Sequence, residues 1–140
     1  MTLEHIPFVT KIEEDCFAIP WDEKSFRDEL KNNKMAIYVS AVLEGEIVAY
    51  AGMWHVINEG HITNLAVKKE YRQQGIGTAL IKELLEIAKQ KEMIGITLEV
   101  RVNNKDAQAL YKKNGFILEG IRKEYYDDNR EDALIMWCYL

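Results

Sequence analysis

The chain has 140 residues, enough for one domain with a real core, and its 48% hydrophobic and 29% charged residues describe a folded, soluble protein rather than a disordered one. A net charge of −5 argues against a nucleic-acid phosphate track and suits a cationic partner, such as an amine or a basic protein tail. No apolar run approaches the ~20 residues of a membrane helix, and MTLEHIPFVTKIEEDCF carries acids where a signal peptide has a basic start and an apolar stretch, so the expected compartment is the cytoplasm.

In chain order, Ile6, Val9, Ile12, Glu13 and Cys16 recur at helix spacing. Thr2 can cap that start, and Pro7 should break or restart the helix near its first turn. After the corner IPW, Asp22 can cap a second helix over residues 23–32, with Phe26 and Leu30 inward. MAIYVSAVLEGEIVAYAGMWHV reads as two strands joined at Glu44-Gly45, and NEG (58–60) as a second turn. HITNLAVKK is a third strand, followed by glycines and a helix over about residues 76–91. GITLEVRV is a strand, NKDAQALYKKN a helix stopped by Gly115, and FILEGIRKEYY and DALIMWCYL are two strands around the polar turn DDNRE. The sequence shows no repeat, low-complexity segment or linker, so residues 1–140 form one domain. The expected class is mixed α/β, with an antiparallel first half and at least one strand–helix–strand crossover. Cys16 and Cys138 are far apart with no CxxC, which predicts two free, mostly buried thiols.

The segment YRQQGIGTALIKELLEIAKQ raises a question: a good amphipathic helix begins with two glycines, Gly75 and Gly77. They could be a loop residue and a close-packing spot. They could also open an anion site. The first N–H groups of a helix lack partners within it, its positive end favours a pyrophosphate, and glycine lets the main chain come close. Arg72 adds positive charge; Gln73, Gln74 and Thr78 add polar contact or capping. Ile76, Leu80, Leu84 and Ala88, with Ile81, Leu85 and Ile87 beside them, anchor the helix, while Lys82, Glu83, Glu86 and Lys89 face water. There is no GK[ST] for a triphosphate loop, and the spacing is not GxGxxG.

LAVKKEYRQQGIGTALI resembles the acetyl-coenzyme A motif of the GNAT acetyltransferase superfamily, Q/R-x-x-G-x-G/A after a strand. NNKDAQALYKKNGF is similar to its second signature, N-x-x-A-x-x-L-Y-x-x-x-G-F. CFAIPWDEKSF, LEVRVNN and REDALIM further resemble the RimI-type branch, bacterial N-terminal alanine acetyltransferases of a small-subunit ribosomal protein. The resemblance implies the GNAT fold, a mainly antiparallel sheet flanked by helices, over nearly the whole chain. The family has a strand before its first helix, whereas MTLEHIP begins almost at the helix, so that edge strand is expected to be absent.

The activity implied is acetyl transfer from acetyl-coenzyme A (acetyl-CoA) to a primary amine. The amine must be neutral: at pH 7 this costs about 1.4 kcal/mol for an α-amine of pKa ~8 and about 4.6 kcal/mol for a lysine of pKa ~10.4. A protein N-terminus is therefore the easier acceptor, and the resemblance implies that of a ribosomal protein. In ITLEVRV, Thr97, Glu99 and Arg101 share one strand face and Ile96, Leu98 and Val100 the other. Glu99 is either a solvent-facing acid paired with Arg101 or a lysine, or the general base that the resemblance implies, with a pKa raised by burial. Tyr111 is either a core aromatic or, as the family's LY motif implies, the acid that protonates the departing sulfur. Asn104 can cap its helix, as can Asn103, and the resemblance implies that it also touches the coenzyme. Leu65, Ala66 and Val67 are implied to hold the pantetheine arm through their main chain. Trp21, Tyr125 and Tyr126 are core or acceptor-groove aromatics, and Glu46, Glu59, Asp127, Asp128, Glu131 and Asp132 are solvated surface or acids that meet a basic tail. His5, His55 and His61 have no metal-ligand spacing with the cysteines, so no metal is expected. A small-amine acetyltransferase, for a polyamine or an aminoglycoside, and a non-catalytic acyl-coenzyme A sensor are the alternatives.

Overall fold

In the computed structural model, which describes residues 1–140, Asp22 fixes the first sharp boundary. Its carboxylate accepts the Ser25 N–H at 2.8 Å, and helix α2 (Glu23–Asn32) follows with Phe26 fully buried. Before it, helix α1 (Ile6–Cys16) holds Pro7 in its first turn, where the missing N–H costs no helical bond. Leu3–His5 form a 3-10 turn, so Thr2 precedes that turn rather than the α-helix, and its N–H donates to His5 Nδ1 at 3.4 Å.

Strands β1 (Ala36–Leu43) and β2 (Glu46–Val56) meet at Glu44 and Gly45, both left-handed with φ of 51° and 81°. The turn expected at residues 58–60 lies earlier. Ile57 takes its left-handed position (φ 57°), and Gly60 is already inside β3 (Glu59–Val67). A Cβ at Gly60 would stand 2.7 Å from Met53 Sδ and 3.2 Å from Ile96 Cγ1, so the glycine serves packing. Helix α3 (Ile76–Gln90), β4 (Gly95–Arg101), α4 (Lys105–Lys113), β5 (Ile117–Arg122) and β6 (Ala133–Tyr139) complete the chain. Strand β5 ends sooner than its sequence suggests. Residues 123–132 form a connection with left-handed Glu124 (φ 50°) and Arg130 (φ 58°), and Tyr125 and Tyr126 belong to it.

The six strands run in the order β1-β2-β3-β4-β6-β5. All pairs are antiparallel except β3 with β4, which are joined through α3 as the expected crossover. No strand precedes α1: β1 is the edge, and the Met1 amino group donates to the Tyr38 carbonyl at 3.2 Å.

Helix α3 packs Leu80, Ile81, Leu84 and Ala88 onto one sheet face, with Ile96, Leu98, Met136 and Phe116 in the same core. Burying its two leucines and Ile81 contributes about 5–9 kcal/mol, which fixes the helix and hence its N-terminus. On the other face α1 and α2 enclose Ile6, Val9, Ile12, Phe26 and Tyr50, with the Phe26 and Tyr50 rings edge-on at 5.7 Å. Both thiols are free, Cys138 buried and Cys16 half-buried. No helix is long and apolar enough to cross a membrane.

Candidate functional site

Two strands that begin together and then part create the site. Parallel pairing of β3 with β4 covers only Glu59–His61 against Gly95–Thr97. Beyond it the β4-facing edge of β3 is open. The Val67 carbonyl points into this opening, accepting Arg72 Nε at 3.1 Å, while the Lys68 N–H turns the other way, to the Val48 carbonyl at 2.8 Å. Strand period puts the main chain of Leu65 on the same open edge as Val67, and that of Ala66 towards β2. Ala66 is itself buried among α1 and α2 residues, so its side chain is core. A bulge between Gly52 and Met53 shifts the β2–β3 register, pairing Gly52 with Asn64.

The start of α3 lies beside the opening. Gln73 and Gly75 are both left-handed (φ 62° and 83°), and Gly75 is the N-cap. No side chain caps the helix, and its first main-chain bond runs from the Ala79 N–H to the Gly75 carbonyl at 3.0 Å. The N–H groups of Ile76, Gly77 and Thr78 therefore remain as unpaired donors at the positive end of the helix. Arg72 through Gly75 are exposed; Arg72 spans to Cys16 Sγ (3.3 Å), and Gln74 Nε2 donates to the Glu70 carbonyl at 3.4 Å. Thr78 does not cap: its hydroxyl faces Asn114 Nδ2 at 3.5 Å. A Cβ at Gly77 would meet Leu110 Cδ2 of α4 at 3.0 Å, so this glycine permits close helix–helix contact.

Between the parted strands lies a cavity of about 640 Å³. One wall is the end of α1 and the following loop, with Glu13, Cys16 and Trp21; β3 adds Ile62, Asn64 and Leu65. β4 supplies Leu98, Glu99 and Arg101, α4 supplies Tyr111, and the β5–β6 connection brings Tyr125, Tyr126, Asp127 and Asp128.

Glu99 is not solvent-facing: its side chain is 10% exposed. Nor does it pair with Arg101 or a lysine. Oε2 lies 2.6 Å from His61 Nε2, and Oε1 accepts Arg122 Nε at 3.1 Å. The His61 hydrogen bond is the largest influence on its pKa; burial opposes it, and the Arg122 contact adds to the fall. Glu99 is therefore held below the usual glutamate value, contrary to the rise expected from burial alone.

Tyr111 is buried at the cavity wall, and no side chain of the protein is hydrogen-bonded to its hydroxyl. Burial pushes its pKa well above that of an ordinary phenol, which keeps the proton on the oxygen. Asn104 is the cap of α4, its Oδ1 accepting the Ala107 N–H at 3.1 Å, which leaves its Nδ2 group free.

The fold thus brings Glu99, Tyr111, Leu65, Trp21, Tyr125 and Tyr126 to one cavity. Arg72–Thr78 stand at the neighbouring helix end and Asn104 at another. Of the acids expected to meet a basic tail, Glu46 pairs with Lys68, Glu131 and Asp128 with Arg101, and Asp132 with Lys123; Glu59 and Asp127 form no ion pair, and of these two only Asp127 lines the cavity. His61 and Glu13 were given no site role from sequence, and Arg122 and Asn64 were not named there. Glu13 gave a signal, an acid on the apolar stripe of α1. It is buried, accepts the Tyr50 hydroxyl and holds the Trp21 N–H at 3.0 Å.

The sequence profile of the acetyltransferase (GNAT) family matches residues 6–116. A Bacillus subtilis (strain 168) protein provisionally named as a ribosomal protein bS18-alanine N-acetyltransferase is 47% identical over 137 residues, covering 98% of this chain and 91% of that protein. The crystal structure of the ribosomal-protein-S18-alanine N-acetyltransferase from Escherichia coli superposes with a TM-score of 0.89 at 33% identity, over 99% of this chain and 90% of that one. A Bacillus anthracis structure described as a streptothricin acetyltransferase in complex with acetyl coenzyme A matches with a TM-score of 0.73 at 29% identity, over 81% of this chain and 67% of that one. Profile, relatives and fold agree, and the chain belongs to the GNAT family of N-acetyltransferases.

Proposed function

We propose that the protein moves the acetyl group of acetyl-coenzyme A onto the α-amine of a protein N-terminus, that of the ribosomal protein modified by its relatives, by direct attack. The observation that carries this reading is the junction of three features at the parting of β3 and β4: unpaired donors of residues 76–78, the open edge of β3, and a cavity lined by both Glu99 and Tyr111. The residues fit the coenzyme. Donors 76–78 and Arg72 hold a diphosphate, Leu65 and Val67 pair with an amide-bearing arm, and the free amide nitrogen of Asn104 is a further contact. The coenzyme supplies an activated thioester.

The chain's own groups then act on protons. An α-amine of pKa ~8 is neutral in about a tenth of molecules at pH 7, a lysine amine in far fewer. A carboxylate held below its usual pKa is too weak a base to strip free ammonium. Glu99 instead orients the neutral amine and accepts its proton as the carbon–nitrogen bond forms and the nitrogen becomes acidic. His61 and Arg122 hold the carboxylate in place. The Tyr111 phenol donates its hydrogen bond, and then its proton, to the sulfur as the carbon–sulfur bond breaks. Trp21 on one side and Tyr125 and Tyr126 on the other flank the acceptor's path.

Mass spectrometry of peptides with varied first residues and an internal lysine, incubated with acetyl-coenzyme A, tests the assignment. Acetylation at the N-terminal amine, strongest for alanine, is expected. Modification of the lysine alone, or of polyamines and aminoglycosides but no peptide, rejects the acceptor. Tight coenzyme binding with no amine modified rejects catalysis.

A further inference from the structure

The acceptor side of the cavity rests on an irregular connection, and one side chain outside it makes three hydrogen bonds to it and stacks on one of its rings. Arg101 is the last residue of β4. Its Nη1 donates to Glu131 Oε1 at 3.2 Å and Asn129 Oδ1 at 3.3 Å, and its Nη2 to Asp128 Oδ2 at 3.0 Å. Its guanidinium carbon lies 3.9 Å from the centre of the Tyr126 ring. The other oxygen of Glu131 accepts the Asn103 N–H at 2.8 Å, tying the same connection to the residues that follow β4.

This connection needs a clamp. Glu124 and Arg130 are left-handed without being glycine, a conformation that surrounding contacts must enforce. Its internal main-chain bonds are few: Tyr126 N–H to the Glu131 carbonyl (3.2 Å) and Arg130 N–H to the Tyr126 carbonyl (2.8 Å). Yet it carries Tyr125, Tyr126 and Asp127 into the cavity. The flat guanidinium fork reaches three side-chain acceptors and a ring face at once, which a lysine ammonium does not reproduce.

We propose that Arg101 is a positioning residue for the acceptor. It fixes the Tyr126 ring and the 125–128 wall against β4, so that the incoming chain meets a preformed groove, and it takes no part in the proton transfers. This inference rests on the acceptor cleft proposed above. It predicts a split between acceptor binding and turnover. Arg101→Gln and Arg101→Lys raise the KM of an N-terminal peptide about tenfold, while kcat at saturating peptide and the acetyl-coenzyme A dissociation constant change less than about twofold. Asp128→Asn, at the loop surface, keeps the fold and raises KM about threefold, since it removes one of the contacts. In a Tyr126→Leu background Arg101→Gln adds little, because the arginine acts through that ring.

An unchanged KM in both Arg101→Gln and Asp128→Asn overturns the proposal. So does a parallel loss of coenzyme affinity, which marks a merely structural residue, or fully independent effects in the double variant. A wild-type enzyme that acetylates no peptide N-terminus sinks the acceptor assignment and the clamp with it. A wild type that does so, beside Arg101 variants of normal KM, sinks the clamp alone.

Discussion

The carboxylate of Glu99 is set between two donors whose pull exceeds the effect of burial. His61 at 2.6 Å and Arg122 at 3.1 Å favour the charged form, so its folded pKa lies below the ordinary glutamate value. By linkage, its contribution to stability is present above the unfolded pKa and lost as pH falls through the folded one. Activity near neutrality should therefore show no limb from Glu99. The rise of kcat/KM with pH should follow the acceptor amine, close to tenfold per unit until it levels near ~8. Glu99→Gln should lower kcat about 100-fold and Tyr111→Phe at least about tenfold, with coenzyme affinity nearly unchanged in both. Glu99→Gln with wild-type kcat would remove the base. Alternation in ITLEVRV and helix spacing in DAQALYKKN made Glu99 and Tyr111 legible one by one. Their partners were not, because His61 and Arg122 arrive from strands whose pairing no local pattern encodes.

Helix α3 shows how an element can carry two purposes at neighbouring glycines. Gly75, left-handed at the cap with open space where a Cβ would stand, shapes the donor cluster; Gly77 faces Leu110. Gly77→Val should thus destabilise the α3–α4 contact, by about 1–3 kcal/mol. A second change, Leu110→Ala, should return part of that loss and restore coenzyme binding, measured by melting temperature and titration. Failure of Leu110→Ala to recover either would return Gly77 to a direct role at the ligand. The other elements were readable to the extent that chemistry was local. Asp22 and Asn104 are caps, accepting N–H groups at 2.8 and 3.1 Å, and Glu44-Gly45 is the hairpin turn. The end of β5 was not readable, since IRKEYY has strand propensity throughout, while side-chain contacts such as those of Arg101 and Asp132 hold residues 123–132 in turns. The turn at Ile57 was missed for a similar reason. Gly60 looks like turn chemistry, while packing against Met53 and Ile96 is what requires it.

At the scale of the molecule, function follows from a sheet whose halves stop pairing. A helix-bearing crossover makes β3 and β4 parallel neighbours, and their ladder ends at His61 and Thr97. The space beyond is bounded by helix ends, strand edges and connections from both halves. The class of fold and one crossover were evident from the order of elements. The insertion of β6 between β4 and β5, and the point where the ladder ends, were not, because both are long-range pairings. The central claim is that this parting, with the unpaired donors at the start of α3, seats acetyl-coenzyme A so that its thioester lies between Glu99 and Tyr111. A crystal structure of the protein with coenzyme A tests it most directly. The account predicts diphosphate oxygens about 2.7–3.2 Å from the main-chain nitrogens of residues 76–78 and the sulfur beside the Tyr111 hydroxyl. A diphosphate docked elsewhere, or a sulfur remote from both side chains, would contradict it.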